Sequence, residues 1–214
     1  MSVLIELELN QSKSHIIDHA TLSTILLKHG YISIKDKIDN LKQKKILKTL
    51  KKGLYVHTSQ YSKNIISKEI IANSMLSPSY ISFDYALYFH GLIPESVMDI
   101  TSATTKRSKE FVTDYGTFSF RQIKKELFSI GLKIQSCSSG NFLIATKEKA
   151  LCDKIYFTKD IKILSLKSMN SFFVNDLRID FDELEDFDVD ILIKYKEITK
   201  SKKIEFLIKL IMEL

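Results

Sequence analysis

The chain uses little arginine, proline or cysteine, and it has no long apolar run. Its 214 residues include three arginines, two prolines and two cysteines. The longest uninterrupted apolar stretches span a few residues, against the about 18–20 that a bilayer-crossing helix needs, which excludes a membrane span. The amino-terminal stretch MSVLIELELNQSKSH carries glutamates inside its apolar part and lacks a small-residue cleavage site, so it does not read as a signal peptide. Cys137 and Cys152 form no CxxC pair, and none of the five histidines lies near either in sequence. They specify neither a structural zinc site nor a disulfide scaffold, and such sparse use suits a reducing cytoplasm. Pro78 and Pro94 are the only prolines, and no Pro-, Ser- or Gly-rich linker divides the chain. With 44% hydrophobic and 27% charged residues the composition is that of a globular protein, which excludes disorder as the main state. The length has room for one large domain or two small ones.

Charge is what the chain has in excess, and it is unevenly placed. The net charge is +6, with 32 basic and 26 acidic residues. Residues 1–60 hold ten lysines and five acids, a balance of +5; residues 61–150 balance at +3 and residues 151–214 at −2. Within the first block, Lys42–Lys52 (KQKKILKTLKK) has six lysines in eleven residues and no acid. Such a patch can neutralise phosphates and release condensed counterions, the sequence-independent part of nucleic-acid affinity. A solvated lysine face has the same composition, so the local pattern has to decide.

That pattern predicts a helix over Asp18–His29, with Leu22, Ile25 and Leu26 on one stripe and Gly30 ending it. Ser33 is expected to cap a second helix, with Asp36 completing a weak capping box and Ile34, Ile38 and Leu41 forming its buried seam. The opposite face carries Lys35, Lys37, Asn40, Lys42, Gln43 and Lys44. These are amides and lysines of the kind that reach base edges and phosphates from a major groove. The segment Ile46–Leu50 alternates imperfectly, Lys51-Lys52-Gly53 makes a basic turn, and Leu54–Thr58 is strongly β-prone. Two helices and a lysine-tipped hairpin predict a winged helix-turn-helix, with Lys48, Lys51 and Lys52 holding a phosphate backbone from the wing. The rival reading is a winged helix that packs only against protein. His15 and His19 stand at i, i+4 with no HExxH-type glutamate, and read as solvated or capping residues rather than a metal pair.

Residues 59–64 (SQYSKN) offer the best boundary. Beyond it, Ser67–Leu76 and Phe83–His90 read as helices, the second rich in aromatic residues that suit core packing better than base stacking. Five short strands are expected at Val97–Ala103, Glu110–Thr113, Gly116–Ile123, Leu132–Cys137 and Asn141–Thr146. The first two are joined by the basic loop Lys106–Lys109. Thr146 is expected to cap a helix over Lys147–Phe157, with Leu151 and Ile155 as its apolar pair and Lys147, Glu148, Lys149 and Asp153 as its polar remainder. The tail from Lys162 reads as helical and amphipathic. Asp176–Asp190 holds eight carboxylates interleaved with apolar residues. Such a segment suits capping and an acidic, apolar-studded surface for a basic partner or self-association better than Mg²⁺ binding. No P-loop, G-x-S-x-G or Rossmann glycine pattern is present, so no catalytic, cofactor-binding or metal residue is assigned, and the protein is expected not to be an enzyme.

Three stretches together resemble the AbiEi-type antitoxins, winged-helix regulators of type IV toxin–antitoxin and phage-defence systems. They are Lys51-Lys52-Gly53-Leu54-Tyr55-Val56; YISFDYALYFHGLIP from Tyr80 to Pro94, with Ser82, Ala86, Leu87, His90, Gly91 and Leu92 in the matching places; and IATKEKALCDKI from Ile144 to Ile155, with Ala145, Thr146, Glu148, Lys149, Ala150, Leu151 and Asp153. The likeness covers about residues 15–160 and departs at the first helix of the winged unit, around Leu4–Ser14. It implies an α+β protein with a winged-helix DNA-binding domain over 1–60 and an α+β antitoxin or effector domain over 61–214, built from a small sheet and a helical tail. It further implies repression of the protein's own operon through double-stranded promoter DNA and antagonism of a nucleotidyltransferase-type toxin. The other readings left open are a protein-binding module and a metal-dependent nuclease or nucleotidyltransferase using Asp180, Asp182, Asp188 and Asp190.

Overall fold

The computed structural model describes residues 2–9, 14–58, 66–159 and 161–214, and the expected boundary at 59–64 lies outside them. The architecture is mixed α+β with two sheets. Helix α1 (Ser2–Leu9), strand β1 (Ile16–Asp18), helices α2 (His19–Lys28) and α3 (Ile34–Gln43), and strands β2 (Leu47–Lys51) and β3 (Leu54–His57) come first. The three strands form an antiparallel sheet in the order β1-β3-β2.

Local chemistry sets the ends of α2. The Asp18 carboxylate accepts from the Thr21 N–H at 3.0 Å and from the Thr21 hydroxyl at 2.7 Å, satisfying a donor that the helix cannot pair internally. Those bonds hold the Asp18 carboxyl below its ordinary value. Beyond the other end Gly30 adopts φ +80°, a conformation that costs glycine little. Glu8 accepts from Lys28 at 2.9 Å and pairs with His29 Nε2 at 2.8 Å, tying α1 to the carboxyl end of α2. In α3 the expected box is not made: Ser33 gives no side-chain cap to the backbone, because its hydroxyl donates to the Asp36 carboxylate instead. The register between β2 and β3 shifts between Thr49 and Lys51. This irregularity explains the imperfect alternation of Ile46–Leu50. Strand β1 was not evident in the sequence, since three residues are too few to show a period.

Helix α4 (Lys68–Met75) follows, capped by Ser67, whose hydroxyl accepts from the Ile70 N–H. Strand β4 (Ser79–Ile81), helix α5 (Phe83–Phe89), strands β5 (Ile100–Thr104), β6 (Lys109–Thr113), β7 (Gly116–Gln122), β8 (Leu132–Cys137) and β9 (Gly140–Ala145) and helix α6 (Lys147–Phe157) complete the middle of the chain. A six-stranded mixed sheet results, in the order β6-β7-β5-β4-β9-β8. Strand β4 pairs antiparallel with β5 and parallel with β9, so the β6–β7 and β8–β9 hairpins flank a pair of central strands. β4 was not evident in the sequence, and β5 begins at Ile100 rather than Val97. The tail contains α7 (Leu166–Ser171), a π-helical turn over Phe172–Leu177, a 3-10 turn over Phe181–Leu184, α8 (Val189–Thr199) and α9 (Lys202–Met212).

Two apolar clusters form. The smaller joins Ile5, Leu9, Ile17, Leu22, Leu26, Ile38, Leu41, Leu47 and Tyr55. The larger gathers the six-stranded sheet and its helices, and it also takes Leu50, Leu54 and Val56 from β2 and β3. The β2–β3 hairpin therefore contributes to both cores, as the side-to-side alternation of a strand allows. In the tail, Leu177, Ile179, Leu184 and Phe187 are buried while all eight carboxylates of Asp176–Asp190 are exposed. This surface is acidic but not apolar-studded, because its apolar residues are used by the larger core. No helix among the described residues is long and apolar enough to cross a membrane.

Candidate functional site

The amphipathic character of α3 decides which of its side chains face solvent. Ile38 and Leu41 are buried, which leaves Lys35, Asn40, Gln43 and Lys44 exposed on the outer face. Lys37 lies over the Tyr31 ring at 4.4 Å. Lys42 pairs with Asp39 at 3.2 Å and lies over Tyr55 at 5.4 Å. These two lysines thus cover aromatic surface beside the outer face, their charges at its edge.

The hairpin lysines divide. Lys52 is exposed at the turn. Lys48 points across to the β6–β7 turn, with its ammonium 3.7 Å from the Asp114 carboxylate and 5.8 Å from the Tyr115 ring centre. Lys51 is half-buried and donates to the Met75 carbonyl. Burial lowers its pKa first, and repulsion from Lys109 and Lys106 adds to that. The loop Lys106–Lys109 is exposed, so its cations gather near the hairpin although about 55 residues separate them in sequence.

His15 and His19 do not share a helical face. His19 begins α2, whereas His15 precedes β1 at φ +54° and is buried, its ring 6.4 Å from the buried His57 ring. Solvation of His15 is therefore corrected, and the cause is the turn that carries the chain into β1. Burial holds the His57 ring below its ordinary pKa, with His15 adding to the effect.

The stretches that carry the family resemblance meet inside the larger core. Asp153 of α6 accepts from Tyr80 at 2.9 Å, Ser82 at 2.7 Å and Tyr195 at 2.8 Å. Lys149, one helical turn earlier, lies 3.2 Å from the same carboxylate and donates to the Leu127 carbonyl at 3.0 Å. Its ammonium also sits over the Tyr195 ring at 4.4 Å. Lys149 and Asp153 are fully buried and Glu148 is nearly so, which overturns the polar-remainder reading of α6. The reason is that α6 is enclosed by α5, α8 and α9 rather than lying on one surface. Burial raises the pKa values of Tyr80 and Tyr195, and the Asp153 charge raises them further. Both phenols therefore act as donors. His90, at the end of α5, bonds through Nε2 to the Ala145 carbonyl at 2.8 Å.

In α5, Tyr85 is buried and donates to Glu69, while Tyr88 and Phe89 keep about two-fifths of their surface. In the tail, Asp180 accepts from the Asp182 N–H at 3.2 Å and Asp188 from the Asp190 N–H at 3.0 Å. Both are helix caps. Among the described residues, no group of three or more His, Cys, Asp or Glu side chains stands together in a way that could hold a metal ion. No protein-family model matches the chain, and no curated protein matches it.

Proposed function

We propose that the protein is a DNA-binding transcriptional regulator and antitoxin that represses its own operon and antagonises a nucleotidyltransferase-type toxin. In this reading residues 1–60 are a winged helix-turn-helix and residues 61–214 an α+β effector domain. The element order helix, strand, helix, helix, hairpin supports the first assignment. The observation that carries the DNA reading is the outer face of α3. It exposes Lys35, Asn40, Gln43 and Lys44 above a buried Ile38–Leu41 seam, with Lys52 exposed on the hairpin that follows. The amides and lysines of α3 then face base edges and phosphates, while Lys52 contacts the backbone. The antitoxin role is supported by the resemblance of the three stretches quoted above.

Fluorescence anisotropy with the chain's own upstream DNA tests the regulator role. Affinity is expected to fall steeply with salt, and Lys44→Ala or Lys52→Ala should each reduce the salt slope by about one unit. An affinity that does not change with salt would overturn the reading. Co-expression with the adjacent open reading frame tests the antitoxin role, with rescue of growth as the readout.

A second reading is favoured by one observation: Lys48 and Lys51 are engaged with Asp114 and Met75 of the same chain. A wing used in this way suits a protein-binding module. Co-purification with a neighbouring gene product, unaffected by Lys52→Glu and accompanied by no DNA affinity, would favour it.

A further inference from the structure

A cleft of about 810 Å³ opens in the larger unit between the start of α5, the ends of α6 and β7, and the π-helical turn Phe172–Leu177. Its size is that of a small-molecule site. Uncommon backbone gathers on its walls. Phe83 holds φ +57°, a left-handed conformation that an aromatic residue adopts only when its surroundings impose it. The Phe172–Leu177 turn is π-helical, a rare form found often at functional sites.

The side chains in the cleft include an aromatic part and a cationic part, and the carboxylates of Asp84 and Asp176 also line it. The Phe83 ring stands edge-on to Phe157 with centres 5.7 Å apart, and Phe172 and Leu177 extend this apolar wall. The Arg121 guanidinium, from the end of β7, lies over the Phe83 ring at 5.4 Å. Among the described residues no carboxylate lies within ion-pair distance of Arg121. Lys154 is already neutralised by Asp84 at 2.5 Å, whereas Lys159 is exposed on the rim. A guanidinium held against a ring presents its donor fork edge-on, the geometry that grips a phosphate with two parallel bonds. Phe83 and Phe172 are buried, so the half-buried Phe157 is the ring of this wall that can meet a planar ligand by stacking or edge contact.

We propose that this cleft binds a nucleotide, with the phosphate on Arg121 and Lys159 and the base against the half-buried Phe157. The proposal does not depend on the DNA reading, since none of these residues belongs to α3 or to the β2–β3 hairpin.

Isothermal titration calorimetry on the full chain tests it, using the four ribonucleoside 5′-monophosphates, their nucleosides and inorganic phosphate. At least one nucleotide is expected to bind with a Kd below about 1 mM. Its nucleoside and phosphate alone should each bind about tenfold more weakly or worse, because each engages half of the site. Arg121→Ala and Lys159→Ala should each weaken the nucleotide by about tenfold with no change in thermal midpoint, since both side chains are exposed. Absence of saturable nucleotide binding up to about 10 mM would overturn the proposal. So would undiminished binding by Arg121→Ala, or phosphate alone binding as tightly as the nucleotide.

Discussion

The Lys149–Asp153 pair is an ion pair with both side chains fully buried. Four donors converge on one buried carboxylate, and the ammonium opposite is shared between that carboxylate, a carbonyl and a tyrosine face. Removing one partner leaves a buried charge without its counter-charge, which costs about 3–5 kcal/mol. Lys149→Met is expected to lower the unfolding free energy measured by urea denaturation by that much, and Lys149→Met with Asp153→Asn to recover part of the loss. Strictly additive losses in the double variant would show that the two residues do not act as a pair. His57 gives a pH dependence. Its folded pKa lies below the unfolded value of about 6.5. Stability is therefore fully present above pH of about 6.5 and declines below it, because the unfolded chain takes up a proton that the folded chain refuses. His90 is lowered too, mainly by burial, and acts in the same direction. Thermal midpoints between pH 8 and pH 5 should fall less steeply for His57→Phe than for the parent chain, and equal slopes would contradict the assignment.

At the scale of elements, the β2–β3 hairpin separates two kinds of lysine that one run of sequence makes look alike. Lys51 bonds the Met75 carbonyl, whereas Lys52 stands in solvent one residue later. Lys51→Ala should lower stability by about 1–2 kcal/mol, the loss of a half-buried charge-assisted hydrogen bond. Lys52→Ala should leave stability within about 0.5 kcal/mol. Chemical denaturation of the two variants side by side separates them. The same local-versus-tertiary division runs through the helices. The cap at Thr146 and the seam of α3 were readable because capping chemistry and a 3.6-residue period act over a few residues. Strands β1 and β4, three residues each, were not, because their partners lie tens of residues away.

For the molecule as a whole, the hairpin that feeds both apolar clusters couples them. Val56 is fully buried in the larger core while its neighbour Tyr55 belongs to the smaller one. Val56→Ala is expected to cost about 2 kcal/mol. It should also shift unfolding of both clusters together, followed by hydrogen exchange in α2 and in α6. A shift confined to α6 would mean the cores unfold independently. The charge asymmetry legible in the composition has its counterpart in the fold: exposed lysines on α3 and the hairpin turn at one end of the chain, exposed carboxylates over Asp176–Asp190 near the other.

The mixed class, most element positions, the outer face of α3 and the basic hairpin turn follow from the order of residues alone, since they rest on interactions within a turn or a strand. The inward turn of Lys149, Asp153 and His15, the capture of Lys48 and Lys51 by other parts of the chain, and the assembly of Phe83, Arg121 and Phe157 around one cleft do not. Each depends on segments that are distant in sequence being packed together, and it is the cost of leaving a buried polar group unpaired that selects which charged side chains can enter the core.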